Sequence, residues 1–305
     1  MFNGEEFLCE CVESVLGQTF SDFEFIIIND GSTDNSGQLL RGFSDARLRL
    51  VERPNRGLAV SLNEGIRIAR GTYIARIDAD DICLPNRFEV EIAFLKANPR
   101  CVAVGSPAIV IDRDGNTLYE SPVHESWERI KSCLPQVPFF HSSVMFSRKV
   151  ALECGGYPET VQQFFEDQVL WNRMAGFGDL RNVSLPLIKY RLVPSSITNY
   201  DTKTVRVLST IARRTIASNS ISKEDLSLLG ELKKKQNVSV RESNYYLRIG
   251  KIFIENRFDR KAAILNLVRS IKFSPANFTA WWNLALVLLP QRVISFWKAR
   301  RSSQL

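Results

Sequence analysis

The sequence predicts an α/β fold with a doubly wound, mostly parallel sheet and a helical C-terminal extension. Three observations carry that prediction. Apolar stretches with the spacing of helices and of buried strands alternate through residues 4–105, two of the strand-like runs end in acidic loops, and the patterning from residue 201 onward is helical alone.

The elements follow in order. Residues 4–19 place Phe7, Leu8, Cys11, Val12, Val15 and Leu16 at helical spacing, and residues 23–28 form an unbroken apolar run of the kind buried on both faces of a parallel sheet. A helix over 35–43, a strand over 48–52, a helix over 58–69, a strand over 72–77, a helix over 85–97 and a strand over 102–105 continue the alternation. In an open sheet of this kind ligands bind beyond the carboxyl ends of the strands. After Ile111 the alternation breaks: Asp112-Arg113-Asp114-Gly115-Asn116 reads as a hairpin turn, and the stretch to residue 198 mixes short strands with helices. A domain boundary is expected near residue 200, separating 1–200 from a helical region 201–305 in which Lys233-Lys234-Lys235 reads as an exposed charged stretch between elements.

Composition narrows the function classes. With 305 residues, 45% hydrophobic and 24% charged, the chain is long enough for one large soluble domain and an appendage. A formal net charge of +7 suits an anionic partner such as a nucleotide or a phospholipid surface. It is modest for a dedicated nucleic-acid binder, and no RRM, KH or zinc-finger signature is present, so a nucleic-acid partner is not expected. Cys9, Cys11, Cys83, Cys101, Cys133 and Cys154 are scattered without a CxxC pair, and His124 and His141 are the only histidines. That pattern indicates reduced thiols of a cytoplasmic protein, not a zinc site. No basic segment followed by an apolar one opens the chain and no apolar run reaches spanning length, so neither a signal peptide nor a membrane span is expected.

The two acidic loops bear most directly on function. Phe25-Ile26-Ile27-Ile28 runs into Asn29-Asp30-Gly31-Ser32-Thr33-Asp34, and residues 73–77 run into Asp78-Ala79-Asp80-Asp81, so two strands deliver acids to one edge of the sheet. Asn55-Arg56-Gly57 lies between them and enters a helix. Taken singly, each segment has a structural explanation as a turn or a helix cap. Taken in order, they describe a site: an acid at a strand end accepts hydrogen bonds from a base or ribose, and paired acids one strand away bind a divalent cation through hard oxygen ligands. A bound cation would also relieve the repulsion among three neighbouring carboxylates.

Over residues 2–198 the chain resembles the family-2 glycosyltransferases, nucleotide-sugar enzymes of the GT-A fold. The resemblance rests on FNGEEFL, SVLGQTFSDFEFIIINDGSTD, NRGLAVSLNEGI, GTYIARIDADD, GGYPE and FFEDQVLW taken in order. It implies that Asp30 contacts the nucleotide base, that Arg56 belongs to the nucleotide-binding set, that Asp80 contacts the ribose or the metal, and that Asp81 ligates Mg or Mn on the diphosphate. Asp78 becomes a supporting acid and Asp167 the catalytic base. The residue-level alternative for Glu166-Asp167 is an acidic first helical turn, since Val169, Leu170 and Met174 follow at helical spacing. Glu166, His141, Trp171 and Arg191 are further acceptor-site or supporting candidates, although a lone histidine among apolar residues is more often structural. Gly155-Gly156 either lets backbone pass close to substrate or closes a helix and turns. Tyr190-Arg191 resembles the family's YRxH ending, with Val193 where that pattern carries His, which leaves Arg191 as the nearby cation.

The expected activity is an inverting, metal-dependent transfer of a sugar from a UDP-linked donor to a glycan or lipid-linked acceptor in cell-surface polysaccharide synthesis, at or near the inner face of the plasma membrane. A sugar nucleotidylyltransferase would want a Gly-rich loop with Lys or Arg after the first strand, and a non-catalytic binding module would leave the carboxylates solvated. Residues 245–289 have the pattern of a tetratricopeptide hairpin, one unit where a stable array needs about three. The final segment, with Trp281-Trp282, Phe296-Trp297 and Lys298, Arg300 and Arg301, suits either packing on protein or an amphipathic contact with an anionic membrane. The resemblance also has a buried strand ahead of the first helix, of which only Met1-Phe2-Asn3-Gly4 is present, so an upstream apolar, β-branched segment completing the sheet is expected.

Overall fold

The apolar run after residue 22 becomes β1 (Phe25–Asp30), in a computed structural model that describes residues 1–289 apart from 137, 162–163, 197–198, 236–237 and 258. Before it comes α1 (Leu8–Leu16), and after it α2 (Ser36–Arg41), β2 (Leu48–Arg53), α3 (Leu58–Ile68) and β3 (Tyr73–Ala75). Beyond the acidic loop lie β4 (Ile82–Cys83), α4 (Arg87–Ala97), β5 (Cys101–Gly105) and the hairpin strands β6 (Ala108–Ile111) and β7 (Thr117–Glu120). Then come α5 (Trp127–Cys133), β8 (Met145–Ser147), α6 (Arg148–Glu153), α7 (Glu166–Met174), β9 (Asp179–Asn182) and β10 (Ile188–Arg191). The remaining elements are helices: α8 (Thr202–Ser218), α9 (Lys223–Lys235), α10 (Val238–Ile252), α11 (Arg260–Phe273) and α12 (Phe278–Leu288).

The chain divides into two compact units that interleave along the sequence. The first contains Met1–Ile109, Glu120–Arg191 and Leu208–Leu226; the second contains Val110–Tyr119, Leu192–Val207 and the chain from Ser227 onward.

In the first unit β1 and β2 pair in parallel, Phe25 opposite Leu48 and Asp30 opposite Arg53. Leu8 and Val12 of α1 bury against Ile27 of β1 and Leu40 of α2, which is why the apolar residues of 4–19 recur every three to four positions. Along β1 the backbone of Met1 also pairs, its ammonium donating to the Ile28 carbonyl at 2.6 Å and its carbonyl accepting from Asp30 N at 2.9 Å. A second group of strands is mixed: β8 runs antiparallel between β3 and β5, and β5 pairs in parallel with β9. Trp171, Leu170 and Met174 of α7 pack with Ala103 and Phe146 of these strands and Ala59 and Ile66 of α3. Short β4 pairs antiparallel with β10, Ile82 opposite Lys189. In the second unit the Asp112–Asn116 turn forms as expected, with Asn116 N donating to Asp112 Oδ1 at 2.8 Å and Gly115 at positive φ, 86°.

Polar side chains from the motifs tie the loops to this frame. Gln18, buried at the end of α1, donates to the Leu84 carbonyl at 2.8 Å and accepts from Phe88 N at 3.1 Å, seating the start of α4. Asn63 of α3 donates to the Tyr157 carbonyl at 2.9 Å and accepts from Tyr157 N at 2.8 Å. This contact explains Gly156: a Cβ there would lie 2.5 Å from Asn63 Oδ1. Gly155 N and Gly156 N donate back to Leu152 O and Ala151 O, so the glycine pair closes α6.

In the second unit Asp259 and Asn277 cap α11 and α12 through side-chain oxygens, and Ala263 and Leu267 of α11 pack against Val287 of α12. Ser243 of α10 and Ser270 of α11 exchange buried hydrogen bonds where the two helices meet. Helix α11 thus meets both α10 and α12. Lys233 and Lys234, read as lying between elements, sit instead in the last turn of α9, where cations complement the helix dipole. The residues from Phe296 to Arg301 lie outside those described.

One buried ion pair supports the acidic loop from below. Arg87 and Glu91, one turn apart on α4, are both fully buried and 3.2 Å apart. The Arg87 guanidinium also donates to the carbonyls of Arg76 (2.9 Å) and Val144 (3.3 Å), fixing the backbone where the chain leaves β3. Burial pushes the Glu91 carboxyl up to about 7, against the pull of Arg87. Arg87→Met should therefore cost about 3–5 kcal/mol, because an uncompensated acid is left in the core. Arg87→Met/Glu91→Leu should recover most of that loss in urea denaturation. Equal stabilities of the single and double variants would refute the pairing.

Candidate active site

At the end of β1 the Asp30 carboxylate is buried and fully engaged. Oδ1 accepts from Arg56 N at 3.0 Å and lies 3.1 Å from Arg53 Nη2; Oδ2 accepts from Gly57 N at 2.8 Å. Gly57 has φ of 94°, which a side chain would strain, and this turn aims two successive N–H groups at one acid. Asp30 is thereby the clamp between the DGSTD and NRG segments, while the Arg56 side chain is exposed. The FNGEE and DGSTD segments interlock similarly: Thr33 N donates to Asn3 Oδ1 and Asn35 N to Glu5 Oε2, each at 2.8 Å.

The acidic cluster forms where β3 ends. Arg76 and Asp78 are two residues apart on extended chain, so their side chains point to the same side. The buried Arg76 guanidinium bonds both oxygens of Asp78 and donates to Ser142 Oγ at 3.0 Å; Ser142 Oγ in turn donates to Asp78 Oδ2 at 3.0 Å. One carboxylate oxygen from each of Asp78, Asp80 and Asp81 lies within 4.8 Å of the others. Asp81 is only 1% exposed; Oδ1 accepts from Arg191 N at 2.7 Å, while Oδ2 is buried without a hydrogen-bond partner. Arg191 closes the cluster from β10. Its Nε donates to the Asp80 carbonyl at 3.0 Å, its guanidinium lies 4.4 Å from the Phe7 ring centre, and it pairs with Glu10.

Burial, with Asp78 next to it, pushes the Asp80 carboxyl up to about 6. Burial and both neighbouring acids push Asp81 well above its ordinary range. A buried carboxylate oxygen without a donor, beside two more carboxylates, is the environment a hard divalent cation fits, and Asp80 and Asp81 would hold it with Asp78 adjoining.

The start of α7 faces the same charge. Burial and then Asp167 raise Glu166 to about 8, and its Oε2 is buried without a partner. Burial raises Asp167 as well, and the Arg76 and Asp78 charges act on both acids. Glu166 and Asp167 also occupy the first turn of α7, so the helix-start reading and the site reading hold together. Behind them His141 Nε2 lies 2.8 Å from the Tyr157 hydroxyl, and burial together with Arg76 lowers the histidine well below its usual range, keeping it neutral. Trp171 is fully buried, its ring edge-on to Phe139 and Phe146. Of its two candidate roles, direct acceptor contact is incompatible with that burial, and it acts as packing beneath the site.

Asp78, Asp80, Asp81, Glu166, Asp167, His141 and Arg191 thus come within reach of one buried cation or one another, and Asp30 and Arg56 form a neighbouring clamp. Arg76, Ser142, Tyr157 and Arg53 were not among the sequence candidates. For Arg76 a signal existed, the two-residue spacing to Asp78, and for Tyr157 the GGYPE motif; Ser142 comes from a distant segment and had none.

The mixed α/β fold, with acids at the ends of β1 and β3, is that of the GT-A glycosyltransferases. The chain belongs to glycosyl transferase family 2, whose model matches residues 1–156. An uncharacterized glycosyltransferase of Haemophilus influenzae is 33% identical over 178 residues, 57% of this chain and 65% of that protein, so the chain spans just under two-thirds of this relative. The amylovoran biosynthesis glycosyltransferase AmsE of Erwinia amylovora is 31% identical over 63% of this chain and 73% of its own length. Among solved structures, S. aureus TarS 1–349 in complex with UDP-GlcNAc superposes with a TM-score of 0.55 at 14% identity, covering 94% of this chain and 88% of that one. The mannosyltransferase PcManGT from Pyrobaculum calidifontis, in complex with GDP-Man and Mn2+, gives 0.54 at 16% identity over 99% and 82%.

The raised carboxyls predict a pH dependence. Without metal the folded state keeps protons on Asp80 (about 6) and Glu166 (about 8) that the unfolded chain releases near pH 4, so the native state binds more protons and its stability falls as pH rises between about 4 and about 8. Thermal midpoints measured in chelator should decline across that window, and Asp80→Asn should flatten the lower part of the decline. A rising midpoint for the wild type would overturn the assignment.

Proposed function

We propose that the protein is an inverting, divalent-cation-dependent glycosyltransferase that moves a sugar from a nucleoside diphosphate donor, UDP-linked, to a hydroxyl of a glycan or lipid-linked acceptor in cell-surface polysaccharide synthesis. The observation that carries the reading is the unpartnered, buried Asp81 Oδ2 within a three-carboxylate cluster whose neighbours are a fixed cation and a second acid pair. A bound Mg or Mn ion would supply Lewis-acid stabilisation of the departing diphosphate.

The chain's own groups take the other tasks. Asp80 and Asp81 would provide the oxygen ligands, and Asp78, fixed by Arg76 and Ser142, keeps the loop in shape. Glu166, pushed up to about 8, holds its proton at neutral pH, and half-buried Asp167, itself raised by burial, is the base of the pair. A carboxylate with raised basicity takes the proton of the acceptor hydroxyl as it attacks, and one such direct displacement inverts the anomeric carbon. Asp30 and the 55–57 turn shape the base pocket, and exposed Arg56 is free to meet the donor. The polysaccharide context rests on AmsE and on a relative named chondroitin synthase of Escherichia coli, 27% identical over 60% of this chain; the donor and metal rest on the UDP-GlcNAc of TarS and the GDP-Man and Mn2+ of PcManGT.

The alternatives fit the site less well. A nucleotidylyltransferase wants a cationic loop after β1, where residues 31–34 carry none and bond instead to Asn3 and Glu5. A module with merely solvated acids does not bury Asp81.

Asp167→Asn should lower turnover about a hundredfold or more with donor affinity unchanged, as loss of a general base does. Asp80→Asn and Asp81→Asn should abolish Mn-dependent transfer while keeping the fold. Donor turnover across a panel of nucleotide sugars, with and without EDTA, checks both; near wild-type Mn-dependent rates in either aspartate variant would remove the metal site.

A further inference from the structure

The acidic loop is bordered by a buried cation whose acid partner lies at the surface. The Arg191 side chain is 3% exposed, and that of Glu10, its partner in the first turn of α1, is 56% exposed. Arg53 and Arg87, also buried, pair instead with Asp30 and Glu91, acids that are buried themselves. The Arg191–Glu10 pair therefore joins a fixed cation to an anion that stays in water.

The other contacts of Arg191 fix where its guanidinium stands. Nε donates to the Asp80 carbonyl at 3.0 Å, the backbone N donates to Asp81 Oδ1 at 2.7 Å, and the guanidinium carbon lies 4.4 Å from the centre of the Phe7 ring. Phe7 precedes Glu10 by three residues, so the start of α1 offers an aromatic face and a carboxylate to one cation. The cation is thus held beside the two acids of the acidic loop, and Glu10 reaches it from outside.

The two members of the pair differ in what separation costs them. A buried guanidinium left without an anion is strongly unfavourable. A surface carboxylate gains little from its ion pair, recovers full hydration on release, and remains favoured in the first turn of a helix. A phosphate oxygen makes the same charge-assisted bond to a guanidinium, with the geometry of the planar fork and with more charge behind it. The exchange of Glu10 for a phosphate keeps Arg191 paired throughout.

We propose that Glu10 stands in for a phosphate of the donor: it holds Arg191 until a nucleoside diphosphate arrives, then yields the guanidinium to the diphosphate and returns to solvent. The inference rests on the nucleoside diphosphate reading above and adds to it a residue of α1 that competes with the donor.

Calorimetric titration of the full chain with UDP in the presence of Mn tests this without turnover. Glu10→Gln should bind UDP about three- to tenfold more tightly than the wild type, since Arg191 is available in a larger fraction of molecules. Glu13→Gln, which removes the same charge from an exposed position on the same helix, should change the affinity about twofold at most. Uridine, which has no phosphate, should bind the wild type and Glu10→Gln alike. Arg191→Lys, which keeps the charge and loses the fork, should weaken UDP binding, and in that background Glu10→Gln should have little further effect. Circular dichroism of each variant guards against unfolding. UDP affinity in Glu10→Gln no tighter than in the wild type, or a gain matched by Glu13→Gln or by uridine, overturns the proposal and leaves the donor reading in place. A wild type that binds no UDP overturns both.

Discussion

The Arg76 guanidinium is the charge around which the acidic loop is built. It is buried, it grips both oxygens of Asp78, and its field acts on Asp80, Asp81, Glu166 and Asp167. Five carboxyls converging without it would repel and take up protons; with it, the loop keeps its shape and still leaves an acid oxygen unmatched on Asp81. A fixed monovalent cation thus organises the cluster without satisfying it, and the remaining demand is for a second, exchangeable positive charge. Arg87 reaches the carbonyl of Arg76 from the core, so a buried ion pair on α4 is mechanically continuous with the site.

The same economy of polar contacts positions the rest. Asp30, Gln18 and Asn63 each bond backbone groups of a segment far away in sequence, so loops that carry chemistry are held by side chains instead of by ladder pairing. This suits a site at strand ends, where the regular hydrogen bonding of the sheet stops and unpaired amides and carbonyls need other partners. It also means that motifs such as GQTF are structural in action, although they neighbour the chemistry.

The two units divide the labour by charge. The acids that matter are gathered in the first unit around two arginines, while residues 260–305 carry cations and no acids at all. A whole-chain net charge of +7 conceals this separation.

Much of the fold was legible because local periodicity is set by local sequence. The runs at 23–28, 48–52 and 58–69 became β1, β2 and α3 within a residue or two, and the Asp112–Asn116 turn formed where Gly115 permits positive φ. The direction of β8 between β3 and β5 was not legible, since strand pairing joins residues about forty to seventy positions apart and leaves no periodic trace. At the site, the residue types declared themselves: acids after apolar runs have few structural reasons to cluster. Their states did not, because whether Asp81 is buried, Glu166 protonated or His141 neutral depends on desolvation and on Arg76, Ser142 and Tyr157 arriving from other elements. By itself the sequence determined which groups would stand at the strand ends; only the tertiary structure decided their charge and their partners, because burial and the Coulomb field are properties of distances in space and not of spacing along the chain.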